Sequence, residues 1–231
     1  MKTAGIIGGI GPESTIEYYR SIVASYRERT RHGGYPSVVI NSIDLKLMVE
    51  LMGANRLHEV EEYLVRELKR LAGAGADFAA LAANTPHIVF GAVSARSPVP
   101  LISIVEVTCD AARGRGLKRV GLFGTRYTMQ AGFYPEAFGR AGITVVPPGA
   151  EAQVYIHDKY MSELVNGVFI PETRAGLLAI VEQMKAQDGI EGLILGGTEL
   201  PLILRADDCA GVQFLDTMQL HAEAIVTRLL S

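Results

Sequence analysis

The chain has 231 residues, 48% hydrophobic and 20% charged, proportions ordinary for a globular protein and too apolar for a disordered one. Its 22 Lys and Arg against 25 Asp and Glu leave a formal charge of −3 with mixed signs, so it has no basic stripe for a phosphate backbone and nucleic acid is excluded as a partner. No apolar run reaches the length of a bilayer span, and the short glycine-broken run after Lys2 leads into a helix start rather than a cleavage site. The expectation is a cytoplasmic protein with no membrane partner.

In chain order, short runs rich in Ile, Val and Leu alternate with longer stretches of helical period, the pattern of a parallel sheet covered by helices. Strands are predicted near Ala4–Ile7, Ser37–Ser42, Phe78–Leu81, Leu101–Val105, Val120–Phe123, Thr144–Val146, Leu193–Leu195 and Gln213–Leu215. From Arg56 to Leu71, the residues Leu57, Val60, Leu64, Leu68 and Leu71 recur at three- and four-residue steps, which predicts one amphipathic helix. Glu59, Glu61, Glu62, Arg66, Glu67 and Lys69 are expected to face water, as a solvated charged surface. Gly73-Ala74-Gly75 supplies the helix end.

The two halves of the chain resemble each other. Gly5-Ile6-Ile7-Gly8 recurs as Gly121-Leu122-Phe123-Gly124, and the segment from Gly75 to Thr85 recurs, at nearly the same separation, from Gly189 to Glu199. A duplicated unit follows, so the fold class is α/β, with two pseudo-symmetric subdomains that each carry a mainly parallel sheet flanked by helices. Residues 1–96 with 213–231 are expected to form the first, and residues 97–212 the second. The last strand and helix return to the first half and tie the chain together.

Ligands of open parallel sheets gather beyond the carboxyl ends of the strands, where helix amino termini offer free N–H groups. Four loops stand there: Gly8-Gly9-Ile10-Gly11-Pro12, Ala83-Asn84-Thr85-Pro86-His87, Gly124-Thr125-Arg126-Tyr127-Thr128 and Gly197-Thr198-Glu199-Leu200-Pro201. Their small residues admit a ligand to the backbone, and their hydroxyl and amide groups suit a carboxylate. The first loop is no dinucleotide fingerprint, because Ser14 stands where its third glycine belongs and Asp44 lies too far along for the ribose. No phosphate-binding G-x-x-x-x-G-K-S/T run exists, and His32, His58, His87, His157 and His221 show no metal-ligand spacing, so the metal expectation is none. His58 and His221 fall within helical patterns. His87 follows a strand-end turn, which makes it a candidate acid or base. Cys109 and Cys209 belong to no C-x-x-C pair and read as reduced thiols.

Gly8 to Thr15, Asn84 to His87, Gly124 to Met129 and Gly197 to Pro201, in this order and over essentially the whole chain, resemble the aspartate/glutamate racemase family. The resemblance implies two pseudo-symmetric α/β domains with a substrate site between them, no cofactor such as pyridoxal phosphate, no metal, and a homodimer. It also implies racemisation by two thiols on opposite faces of an amino acid, one just before the Asn-Thr pair and one in a Gly-Cys-Thr-Glu loop. This sequence has Ala83 and Gly197 at those positions. Neither Cys109, expected to begin a helix after another strand, nor Cys209, beyond the second loop, takes their place.

The expected partner is a small-molecule carboxylate or amino acid, held by Gly9, Ile10, Asn84, Thr85, Thr128 and Thr198. Abstraction of an α-proton needs a positioned base, and alanine and glycine supply none. Two-thiol racemisation is therefore expected to be impaired, leaving a weak isomerase, a pseudoenzyme that binds carboxylates, or one-base isomerase or decarboxylase chemistry. His87, Glu199 or the stretch Tyr155-Ile156-His157-Asp158-Lys159 would carry the last, with Arg126 and Lys159 as candidate cations. Gain of racemisation on placing cysteine at both 83 and 197 would show that the rest of the site still holds the substrate between the two positions.

Overall fold

A computed structural model describes residues 2–30, 33–205, 209 and 211–231; His32 lies outside them. The chain divides into two compact units, one of residues 1–104 and 218–231 and one of residues 105–217. The first unit opens with β1 (Thr3–Gly8), α1 (Pro12–Arg29), β2 (Ser37–Ser42), α2 (Leu45–Gly53), α3 (Leu57–Gly73) and β3 (Phe78–Leu81). A 3-10 turn over Thr85–Val89, α4 (Phe90–Arg96) and β4 (Leu101–Ile102) complete its sheet. Then α5 (Ile104–Gly114) leads into the second unit, with β5 (Arg119–Gly124), α6 (Arg126–Gln130), α7 (Phe133–Arg140) and β6 (Thr144–Val146). It continues through α8 (Ala150–Ser162), a 3-10 turn at Leu164–Asn166, α9 (Pro171–Asp188), β7 (Gly192–Gly196), α10 (Leu200–Ile203) and β8 (Gln213–Asp216). The last helix, α11 (Thr217–Leu230), returns to the first unit.

Both sheets are fully parallel and have the same strand order, β2-β1-β3-β4 in the first and β6-β5-β7-β8 in the second. The sequence repeat falls on β1 and β5 and on β3 and β7, the inner strands of each sheet. The chain changes units at Ile104 and again at Thr217, later in each case than the boundaries at 96 and 212 read from the sequence. Strand pairing is the reason. β4 pairs with β3 through Ala79 to Leu101 and Ala80 to Ile102, and β8 pairs with β7 from Gly192 to Leu195. The strand expected to reach Val105 stops at Ile102, because α5 begins at Ile104.

Alternation along the strands sorts the core. In the first unit Ala4, Ile6, Phe78, Ala80 and Ala82 form one cluster with Tyr18, Ile22 and Tyr26 of α1 and Met218, Ala222, Ile225 and Val226 of α11. The opposite face meets α3 so closely that a Cβ on Gly5 would lie 2.9 Å from Ala76 Cβ and 3.1 Å from Leu71 Cδ1. Helix α11 is also pinned by polar contacts within its unit. Tyr18 Oη and His221 Nδ1 are 2.9 Å apart, and His221 Nε2 donates to Ile102 O at 3.0 Å. In the second unit Phe123, Leu193 and Leu195 cluster with Ile156 and Tyr160 of α8, Leu177, Val181 and Met184 of α9, and Leu200 and Ile203 of α10. Among the described residues, no helix is long and apolar enough to cross a membrane.

Helix α3 departs from its predicted charge pattern at one residue. Val60, Leu64, Leu68 and Leu71 are buried as the stripe requires, each worth about 1.5–3 kcal/mol. Glu67, expected in water, is 1% exposed. Its carboxylate accepts from Asn41 Nδ2 at 2.9 Å, Arg70 Nη1 at 2.7 Å and Arg66 Nε at 3.3 Å. Glu62 pairs with Arg96 of α4, at 2.6 Å. Burial alone would raise the Glu67 pKa, but Asn41 and Arg70 outweigh it and hold it below the usual value of 4.5. A carboxylate depressed in the folded state stabilises the protein above the unfolded pKa and loses that contribution as pH falls through the folded value. Glu67→Gln is expected to cost about 1–3 kcal/mol at pH 7 and to flatten the decline of stability below pH 4.5, as read by urea unfolding at a series of pH values.

Candidate active site

In each sheet the order reverses beside the first strand, because the second strand pairs on one side of it and the third on the other. Ligand crevices of parallel sheets open at such a switch point, beyond the carboxyl ends of the two inner strands. All four motif loops stand at these switch points, those after β1 and β3 in the first unit and those after β5 and β7 in the second.

The loop after β1 is fixed by its own contacts. Gly9 has φ +82°, and a Cβ there would lie 2.6 Å from Ile43 N, so only glycine fits this turn. Thr15 Oγ1 accepts the Gly9 N–H at 2.8 Å and donates to Gly11 O at 3.1 Å, while Pro12 opens α1. The Gly9 N–H, expected to meet a ligand, is thus engaged by Thr15, and Ile10 is half-exposed at the loop tip.

After β3, Ala83 and Asn84 are buried and Thr85 is half-buried. The Asn84 carbonyl accepts the His87 N–H at 2.9 Å, which closes the turn. The His87 ring is itself bound by the backbone on both sides. Nδ1 donates to Ala83 O at 3.1 Å, and Nε2 accepts the Ile104 N–H at 3.3 Å. The ring also stacks on Phe90 at 4.7 Å. Burial, with His221 adding to it, lowers the His87 pKa to about 3, so the imidazole is neutral with its proton on Nδ1. Geometry makes His87 a brace of the strand-end turn, with neither nitrogen turned to a ligand.

In the second unit, Thr125 caps α6 by accepting the Thr128 N–H at 3.3 Å, and the two threonine hydroxyls are 3.2 Å apart. Thr128 is fully buried, and a Cβ on Gly124 would lie 2.7 Å from Gly196 O, so the β5 and β7 ends are in close contact. After β7, Gly197, Thr198 and Glu199 are all buried. Thr198 Oγ1 donates to Glu199 Oε2 at 3.1 Å, and the Tyr160 hydroxyl donates to the same oxygen. Burial and the Glu199 carboxylate both push the Tyr160 phenol well above its usual pKa, so its proton stays on oxygen.

The other candidates have contacts of their own. Arg126 is exposed, its guanidinium 5.7 Å from the Tyr127 ring centre, and Lys159 is paired with Glu163. His157 Nδ1 accepts the Arg126 N–H at 3.2 Å. Cys109 lies within α5, not at a helix start, with Sγ 3.8 Å from Ala137 O. Cys209 Sγ lies 2.9 Å from Glu182 Oε1, and burial first, then Glu182, pushes its pKa to about 11. Both cysteines are buried free thiols. Among the described residues one group of three could offer ligands to a metal, His58, Glu61 and Glu62, on the surface of α3. Arg96 already supplies a cation there, at 2.5 Å from Glu61 and 2.6 Å from Glu62. Tyr160 was missed in the sequence, where it reads as one more core residue of α8.

With this geometry in place, comparison with known proteins identifies the chain. The family model for Asp/Glu/Hydantoin racemase matches residues 7–225, and the chain belongs to that family. Its structure is similar to that of a Yersinia pestis protein assigned as a candidate Asp/Glu racemase, at 30% identity and a TM-score of 0.91 over 100% of both chains. It is also similar to an aspartate racemase homologue from Pyrococcus horikoshii, at 33% identity and a TM-score of 0.86 over 100% of both chains. Glutamate racemase of Aquifex aeolicus is 28% identical over 71% of this chain and 65% of its own length.

The state of His87 is open to direct measurement. A histidine depressed to about 3 when folded, against 6.5 when free, stabilises the fold above pH 6.5, and this contribution is lost as pH falls toward 3. Nitrogen-proton NMR correlations at pH 5 should show the His87 ring neutral and protonated on Nδ1. An imidazolium at that pH would contradict the two backbone contacts.

Proposed function

We propose that this family member binds a small amino acid or dicarboxylate at the strand-end loops of its two units, and that two-thiol racemisation is impaired in it. The observation that carries the reading is the uneven make-up of these loops. Asn84, Thr85, Thr128 and Thr198 place amide and hydroxyl groups in the loops at the switch points, groups of the kind that suit a carboxylate. Positions 83 and 197, where the family resemblance places the proton-carrying thiols, hold Ala83 and Gly197, which have no ionisable group. Losing a positioned acid or base costs about 10²- to 10⁴-fold each, so recognition outlasts the reaction. The reading needs no metal and no pyridoxal phosphate, and it extends by family likeness to a homodimer.

A second reading, one-base isomerase or decarboxylase chemistry, is favoured by Glu199, an ionisable group in the loop after β7. His87 is engaged by the backbone and adds little to it. Titration calorimetry with aspartate, glutamate, malate and citrate is expected to give millimolar or tighter binding of at least one acid, unchanged by a metal chelator. Binding of none of them, with binding of a nucleotide instead, would overturn the reading. Proton NMR in D₂O with L- and D-aspartate and glutamate is expected to show no optical inversion above background. Exchange of the α-proton without inversion would favour one-base chemistry, and Glu199→Gln should then abolish it.

A further inference from the structure

We propose that Tyr160 decides what position 197 can carry: its ring fills the space a side chain there would need, so a phenol held by Glu199 stands in the second unit where the family resemblance places a thiol. The inference rests on the proposed function for its chemical meaning, while its geometry lies wholly within the second unit.

Gly197 is not among the glycines with a left-handed backbone, so its conformation is open to any residue. What forbids a side chain is space. A Cβ built on Gly197 would lie 2.8 Å from both Cζ and Oη of Tyr160 and closer still to Cε2, and these three are its nearest atoms. Neighbouring Gly196 differs, since its Cβ would meet the backbone oxygen of Phe123 at 2.7 Å, an obstacle set by strand packing. At Gly197 the nearest obstacle is instead one side chain. Nor does that side chain swing aside at low cost. Tyr160 is 6% exposed, belongs to the core cluster with Ile156, Leu177 and Leu195, and has its hydroxyl bonded to Glu199. A thiol and this phenol thus exclude each other, and cysteines at 83 and 197 alone are not sufficient for racemisation. Racemisation needs Tyr160 cut back as well.

The first test needs no ligand. Melting temperatures are measured for Gly197→Ala, Tyr160→Leu and the double variant, with Tyr160→Met in place of leucine should that variant not fold. Gly197→Ala is expected to lower the midpoint by several degrees in the native background and by much less beside Tyr160→Leu; beside Tyr160→Phe, which keeps the ring, the loss should persist. A Gly197→Ala variant that melts like the native protein, or an equal loss in both backgrounds, would overturn the proposal. The second test compares aspartate and glutamate racemisation by Ala83→Cys/Gly197→Cys with that of the same pair carrying Tyr160→Leu. At least about a tenfold gain on removing the ring is expected, and equal turnover in the two would count against it. If the native chain binds no carboxylate, the proposed function fails, and the melting cycle still decides the role of Tyr160.

Discussion

Parallel pairing around a central first strand is the constraint from which the rest of each unit follows. Strands that all run one way need helical crossovers, and the helices cover both faces of the sheet, so β1, β3, β5 and β7 are buried along their length except at Thr3 and Arg119, where β1 and β5 begin. Close helix approach then restricts side-chain size, and glycine appears within the strands themselves. A Cβ on Gly121 would lie 3.1 Å from Met184 Cε of α9, as one on Gly5 would lie 3.1 Å from Leu71 Cδ1 of α3. The same pairing places every strand's carboxyl end at one edge, where loops are free of the sheet and open to chemistry.

Polar groups at these edges are held chiefly by the protein. His87 gives both nitrogens to backbone groups, Thr15 engages the Gly9 N–H, and Glu199 accepts two hydroxyls on one oxygen. Among the described residues, no buried side-chain nitrogen or oxygen lacks a hydrogen-bond partner. Groups so satisfied are costly to move. The neutral His87 and the protonated Tyr160 fit this account, since burial disfavours the charged form of each.

Family membership therefore fixes the scaffold without fixing the reaction. The match covers residues 7–225, yet the two positions on which the thiol chemistry of the resemblance depends are Ala83 and Gly197. The second position is crowded by Tyr160 besides lacking a functional group. A side chain at 197 and the Tyr160 ring would compete for the same volume, as expected in a close-packed core.

Much of this was legible in the sequence. Strand positions followed from short apolar runs, and the duplication from two recurring segments, because both signals are local. The motif loops were visible because turn residues announce themselves. The sequence also settled the absence of thiols at 83 and 197. Long-range partners were not legible: that β4 and β8 belong with β3 and β7 is decided by pairing across distant segments, and it moved both unit boundaries. Burial of Glu67, on α3, depended on Asn41 of β2. The engagement of His87 depended on Ile104, and the crowding of Gly197 on a ring from α8. A residue's period along its own helix says which face it occupies, but which group lies opposite, and how much room is left, is settled only when elements far apart in the chain pack together.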